Sequence, residues 1–430
     1  MKSERAWAIG LAAVMAAGIA FRLVWLDDVE YKADEVWTLQ HVQAFWRTGE
    51  LPLVGMPASV GTPNAGLSIW VFIALSALVP IDTPLPLTRA VELTNVAAIL
   101  LLLGFVLRGV ARREREPWLW SVALASVNPF AVGFSRKIWP PDLLPLFTVS
   151  MLAGWWHRRR WWGGFLWGML GALLGQIQLV GFLFAAMFVL CTVLLDRRSV
   201  RWVAWFAGSV LGSLPMLPWL AELLTMLEER VSSASPPALA AAPHATVVDI
   251  GIFVPKFVLY WLNLMLGSGL DYSIGTDYPK FLAFPSGTYA VAALVAAVIA
   301  IFAVIVVRLC RRLYATRSRG IAGIAAPGSS TALALYAGCA AYGLLLTVVT
   351  ANTLSLYYLV VPFPLPWLSL ACCVAAGSSA DARSVANGRC LLAALVFLQA
   401  CITLGFLAYV HEAEELHGDY GVIYRAQSHP

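Results

Sequence analysis

In this chain of 430 residues, 60% are hydrophobic and only 12% charged, and the mean hydropathy is +0.77. That excludes an ordinary soluble domain and implies a polytopic membrane protein, organised as one membrane-embedded unit over residues 1–430 because no polar stretch is long enough for a separate domain. The net charge of +5 is spread along the chain in short clusters, and no nucleic-acid partner is expected.

The first apolar run, Ala6 to Leu26, is long enough to cross a bilayer of about 30 Å at about 1.5 Å per helical residue. Lys2, Arg5 and the small residues Ala16-Ala17-Gly18 give it signal-peptide character, but the run continues through Leu26, so it reads as an uncleaved first span. Immediately beyond lies Lys32-Ala33-Asp34-Glu35-Val36-Trp37, a carboxylate pair at a membrane face. Carboxylates there accept protons or hold cations, and they also occur simply because water solvates them.

Residues 27–86 form a first large outer loop containing Asp34, Glu35, Gln40 and His41. It continues in a Gly/Pro-punctuated stretch, Gly55 to Asn64, that favours turns and close backbone approach over a regular helix. This stretch either shapes a substrate edge or connects two interfacial helices. The run Gly66 to Pro80, about 15 residues, is short for a spanning helix and reads as lying in the membrane surface.

Basic residues cluster at Lys2 and Arg5, Arg108 to Arg115, Arg158 to Arg160, Arg197 to Arg201, Arg308 to Arg319, and Arg383 with Arg389. Cytoplasmic loops favour such residues, so all six clusters are expected inside. The inner side then carries 19 Lys/Arg against 5 Asp/Glu, leaving 10 against 19 for the spans and the outer side. The spans become 6–26, 87–107, 117–134, 141–156, 162–178, 179–195, 202–222, 287–307, 331–350, 354–376 and 390–410, eleven in all, with the N-terminus in and the C-terminus out. Trp155, Trp156, Trp161 and Trp162 read as an interfacial aromatic belt without a catalytic role.

Three further outward segments carry polar groups. Ser135-Arg136-Lys137-Ile138-Trp139-Pro140-Pro141-Asp142 is a tight hairpin whose two cations run against the positive-inside trend. Arg136 and Lys137 suit a phosphate; contact with lipid headgroups or an ion pair with Asp142 is the other reading. Gln176 and Gln178 end a span, where their amides either bond a hydroxylated substrate or pack helices together. A second large loop, 225–286, joins the C-terminal residues 411–430 and carries Lys256, Tyr260, Asp271, Tyr272, Asp277 and Tyr278. Within the spans, Arg22 and Arg89 lie near outer ends; each either snorkels or pairs, Arg22 with an acid of the first loop. The seven cysteines lie in or beside spans, which supports neither a disulfide framework nor a thiolate metal site.

The order of these features resembles the GT-C superfamily of membrane glycosyltransferases, especially bacterial relatives of protein O-mannosyltransferases and lipid A aminoarabinose transferases. The likeness rests on Arg22 in the first span, Asp34-Glu35 opening the outer loop, the Gly/Pro passage leading to a juxtamembrane helix, Ser135-Arg136 with Asp142, and the late Tyr357-Tyr358-Leu359-Val360-Val361-Pro362. Unlike in better-known members, no sizeable C-terminal soluble domain is expected within these 430 residues.

The resemblance implies an all-α, GT-C-like fold in a bacterial cytoplasmic membrane with its active site facing outward. It implies inverting transfer of a sugar from a polyprenyl-phosphate donor to an extracytoplasmic glycolipid, polysaccharide or protein acceptor. Asp34 would be the principal catalytic carboxylate, supported by Glu35. Arg136 and Lys137 would hold the donor phosphate. Arg22, His41, Asp142, Gln176, Gln178, Tyr357 and Tyr358 would support the site or bind substrate. One carboxylate pair without further ligands is not a diagnostic divalent-cation site, so no metal ligands are assigned and metal dependence does not follow. A transporter or lipid flippase is the competing reading, because polar residues within spans also mark transport pathways.

Overall fold

A computed structural model describes residues 2–57, 62–232, 250–315, 329–349, 360–375 and 382–428. In order, the elements are helix α1 (Lys2–Leu23), α2 (Ala33–Thr48), the short strands β1 (Val54–Pro57) and β2 (Pro63–Ala65), and α3 (Leu67–Ser76). There follow α4 (Pro84–Gly109), α5 (Arg115–Val127), α6 (Pro129–Gly133), α7 (Leu144–Trp156), α8 (Trp161–Ile177), α9 (Val180–Asp196), α10 (Trp202–Ser213) and α11 (Leu217–Ser232). The rest comprises α12 (Ile250–Leu266), α13 (Leu270–Ile274), α14 (Tyr278–Leu282), α15 (Ala290–Ala315), α16 (Ser330–Val349), α17 (Leu365–Ala375), α18 (Ala382–Glu412) and α19 (Tyr424–Ser428).

This is an all-α, multi-spanning membrane protein. Five helical stretches among the described residues are long and apolar enough to cross a bilayer: Pro84–Gly109, Val180–Ser199, Trp202–Met226, Ala290–Arg311 and Arg383–Glu412. Shorter apolar helices cover Trp7–Leu23, Leu67–Ser76, Ser330–Leu345 and Leu365–Val374. At about 1.5 Å per residue the ten-residue α3 rises about 15 Å, half of a hydrocarbon core. In the Gly/Pro passage β1 and β2 form an antiparallel pair, with Val54 opposite Ala65.

The stretch expected as one span over 117–134 is broken. Pro129 lacks an N–H and cannot continue α5, and Asn128 starts the short α6 by accepting from the Ala131 N–H at 3.1 Å. The Asn128 amide also donates to the Leu264 carbonyl and to Gln399 Oε1, both at 3.1 Å, which ties the break to α12 and α18. The freed carbonyls at the end of α5 are met by side chains: Thr403 donates to Val127 O at 2.6 Å and Arg22 to Ser126 O at 2.6 Å.

Arg22 is therefore a helix-end cap, its cation set against the negative end of α5. It is 1% exposed, donates also to Gly18 O at 2.8 Å, and neither snorkels nor pairs with a first-loop acid. Arg136 does the same for α1, donating to Phe21 O at 2.9 Å and Trp25 O at 2.7 Å, and Arg89 adds a bond to Leu23 O at 3.2 Å. Fully buried Glu92 on α4 is the shared counter-ion, 2.7 Å from Arg89 and 3.9 Å from Arg136. Three arginines, one glutamate and two helix ends thus lock α1, α4 and the α5–α6 break together.

Close helix packing elsewhere follows small residues. A Cβ added at Gly168 of α8 would lie 2.0 Å from Trp205 O, and one at Gly208 of α10 2.0 Å from Phe165 O. Two faces emerge from the contacts. On one, Arg158 pairs with Asp196, Arg389 with Glu116 at 2.7 Å, and Arg308 donates to Ser384 O at 3.0 Å. This is where the basic clusters of the central and C-terminal loops gather. Trp161 and Trp162 are exposed there, as a belt requires, but Trp155 is a core residue that donates to Thr192 at 2.9 Å.

Candidate functional site

On the opposite face four segments converge: the loop after α1, the hairpin 134–143, the α13–α14 turn, and the residues after α18. The C-terminal segment folds back onto the first loop. Tyr31 N–H donates to Val422 O at 3.1 Å, Tyr424 N–H to Val29 O at 3.0 Å, and Asp419 N–H to Tyr272 O at 3.0 Å. Side chains clamp it: Asp28 accepts from Arg425 at 2.9 Å and lies 2.7 Å from His411, while Asp277 is 2.7 Å from His417 and 2.8 Å from Lys280. The Lys280 and His417 hydrogen bonds hold the Asp277 carboxyl well below the usual range.

Beneath this strap is a buried charge cluster. Its centre is Glu30, 4% exposed, with Lys137 Nζ 3.0 Å from one carboxylate oxygen and Lys32 Nζ 2.7 Å from the other. Lys137 is itself buried, over the rings of Phe134 at 4.6 Å and Trp139 at 4.3 Å, a desolvated setting that strengthens its pairing. Lys32 also contacts the Asp419 carbonyl and lies 3.5 Å from its carboxylate. Glu35, on the first turn of α2, accepts from the Lys32 N–H at 3.1 Å through one oxygen, while its other oxygen is buried without a hydrogen-bond partner among the described residues.

Asp142 completes the cluster. It is 1% exposed, and neither carboxylate oxygen has a hydrogen-bond partner among the described residues. Lys137, Glu30, Glu35 and Asp419 are the charges that act on it. Four carboxyl groups therefore share the field of two ammonium groups. Burial, reinforced by Glu30 and opposed by Lys137, pushes the Glu35 carboxyl up to about 8.

Because Glu35 takes up its proton more readily folded than unfolded, its contribution to stability is full below the ordinary glutamate value of about 4.3 and is lost as pH rises through about 8. Glu35→Gln removes that dependence. Thermal melts between pH 6 and 9.5 are expected to show wild type losing melting temperature across this window, with the variant flatter. Parallel curves would show that Glu35 does not titrate there.

Two small cavities flank Phe130 and Phe134. One, with about 20 Å³ of free volume, is lined by Arg22, Asn95, Ser135, Asp142, Phe363 and Trp367; the other, about 10 Å³, by Glu30, Lys137, Ser273, Asp419 and Tyr420. Each has room for about one water. Asp34 differs from its neighbours. It is half-buried at the start of α2, and among the described residues its carboxylate has no hydrogen-bond or ion-pair partner.

His41, Gln176 and Gln178 lie apart from this cluster. His41 stacks on Trp37 at 3.7 Å, donates from Nδ1 to Trp37 O at 2.8 Å, and lines an open groove with Gln40, Gln43 and Arg47. Gln176 ties α8 to α10 through Gly212 O at 2.7 Å, and Gln178 is buried at the end of α8. Tyr357 and Tyr358 lie outside the described residues. Among the described residues no group of three or more His, Cys, Asp or Glu is arranged to hold a metal ion. Comparison of the chain with protein-family models, curated proteins and solved structures finds no match.

Proposed function

We propose that the protein is a membrane glycosyltransferase that moves a sugar from a polyprenyl-phosphate donor to an acceptor on the extracytoplasmic side. The observation that carries this reading is the gathering of Asp34, Glu35, Glu30, Lys32, Lys137 and Asp142 on the face opposite the arginine-rich loops. In the reaction an acceptor hydroxyl oxygen bonds to the anomeric carbon, its proton passes to Asp34, and the bond from that carbon to the phosphate oxygen breaks. Polyprenyl phosphate leaves with the electron pair.

Asp34 suits the base because its carboxylate is accessible and uncommitted, whereas Glu30 is locked between two lysines. Arg136 has both terminal guanidinium nitrogens on backbone carbonyls, so in this reading the phosphate falls to Lys137 with Lys32 beside it. A lipid-linked donor reaches such a site laterally from the bilayer, where cytoplasmic nucleotide sugars have no ready access.

The transporter reading draws on one feature, the helix broken at Asn128 and Pro129, since discontinuous helices build many transporter sites. Here Arg22 and Thr403 already donate to carbonyls at that break, and the buried Arg22 cation beside them opposes a passing cation. Purified protein incubated with labelled polyprenyl-phosphate sugars and membrane-lipid acceptors is expected to yield a glycosylated product. Translocation of donor in liposomes without transfer, across a broad donor and acceptor panel, would establish the rival.

The proposed arrangement has eleven crossings, the N-terminus inside and the C-terminus outside with the first loop. Reporter fusions at Arg112 and after Pro430 are expected to read cytoplasmic and extracytoplasmic. A reversal of either overturns the arrangement. The acceptor class is best found by mass spectrometry of envelope lipids and glycans after deletion of the protein.

A further inference from the structure

On the basic face, the ends of α15 and α18 border an open groove of about 710 Å³ that the proposed reaction does not use. Its polar wall is Arg308, Arg383, Ser384 and Asn387; its apolar wall is Val304, Leu391 and Ala394. Arg308 spends one guanidinium nitrogen on Ser384, at 3.0 Å to the carbonyl and 3.3 Å to the hydroxyl, which fixes the fork in place. Its Nε and other terminal nitrogen have no partner among the described residues. No carboxylate is among the described residues that line the groove. The sequence reinforces the sign: Arg311, Arg312, Arg317 and Arg319 follow Arg308, and no Asp or Glu occurs between Asp277 and Asp381.

The groove opens onto exposed apolar surface. Val304 is 48% exposed, and Phe397, which continues the α18 stripe Asn387, Cys390, Ala394 at helical spacing, is 66% exposed. α15 itself is an apolar helix of spanning length with little of its surface packed inside the protein. A cationic, hydrogen-bonding pocket thus sits at the end of an apolar, lipid-facing furrow. Both parts are needed to fit one kind of molecule.

We propose that this groove binds the headgroup of an anionic phospholipid, with Arg308 and Arg383 on the phosphate, Ser384 and Asn387 on glycerol hydroxyls, and acyl chains along Val304 and Phe397. Guanidinium groups match phosphate oxygens in geometry as well as charge, and basic pockets between helices at the cytoplasmic surface are suited to such headgroups. The site is independent of the transfer reaction and stands whether or not that reading holds.

Full-length protein in nanodiscs would be titrated with phosphatidylglycerol against phosphatidylcholine, with native mass spectrometry counting retained lipids and melting temperature reporting stabilisation. Wild type is expected to prefer phosphatidylglycerol, and Arg308→Gln or Arg383→Gln to weaken that preference by about fivefold each. Asn387→Glu, at an exposed position that leaves both arginines in place, is expected to weaken it comparably if either arginine variant fails to fold. Inorganic phosphate and glycerol phosphate, added at millimolar concentration, are expected not to displace the lipid. Equal retention of the two lipids by wild type, an unchanged preference in folded Asn387→Glu, or displacement by inorganic phosphate would each overturn the proposal.

Discussion

Arg136→Ala is expected to cost about 3–5 kcal/mol of stability, the usual scale for removing one partner of a buried charge network. The substitution strips donors from Phe21 O and Trp25 O at the end of α1 and leaves Glu92 with one neighbouring cation fewer, at a site that is 1% exposed. Against a typical total of 5–15 kcal/mol, that is a large fraction. Thermal melting of purified protein should show a clear fall. Arg136→Lys should recover little of it, because an ammonium is a point charge and cannot reproduce the two-pronged fork that spans both carbonyls. The result also separates two roles. A variant that melts near wild type but loses affinity for a polyprenyl-phosphate sugar would identify Arg136 as a phosphate ligand.

Charge type was enough to forecast which loops gather on one face, since the bias depends on the residue and not on its partners; Arg158, Arg308 and Arg389 are found together there. The weakness of Gly66 to Pro80 as a span was likewise legible from length, and α3 is short. The Asp34–Glu35 pair lies beside the buried charge cluster and is not its centre. Glu30 gains its importance from Lys137, 107 positions away, and from Asp419 through Lys32, contacts that no local pattern encodes.

Two local features of the sequence bear directly on the fold. Glu92 is an acid inside an apolar run, three residues from Arg89, which is the spacing of a helical ion pair. Pro129 within the run 117–134 marked the break in that helix. Arg136 and Arg22 show the opposite limit. Their guanidinium groups end on carbonyls of other helices, and a sequence does not display which helix end lies within reach.

Asp34→Asn is expected to reduce glycosyl transfer by about 10²–10⁴-fold, the range attributed to a positioned general base, while leaving donor binding and melting temperature near wild type. The structural basis is the contrast within one helical turn. Asp34 is half-buried with a carboxylate that makes no ion pair among the described residues, so replacing it with an isosteric amide breaks nothing that holds the fold. Glu35, one residue on, accepts from the Lys32 N–H and is pushed up to about 8, so Glu35→Gln should alter the pH profile of the reaction more than its maximal rate. The kinetic signature distinguishes them: loss of kcat with unchanged KM for the lipid donor at Asp34, and a displaced pH profile at Glu35. If folded Asp34→Asn transfers sugar from a validated donor at the wild-type rate, Asp34 is not the base, and Glu35 and Asp142, buried with oxygens that have no partner among the described residues, become the groups to test next.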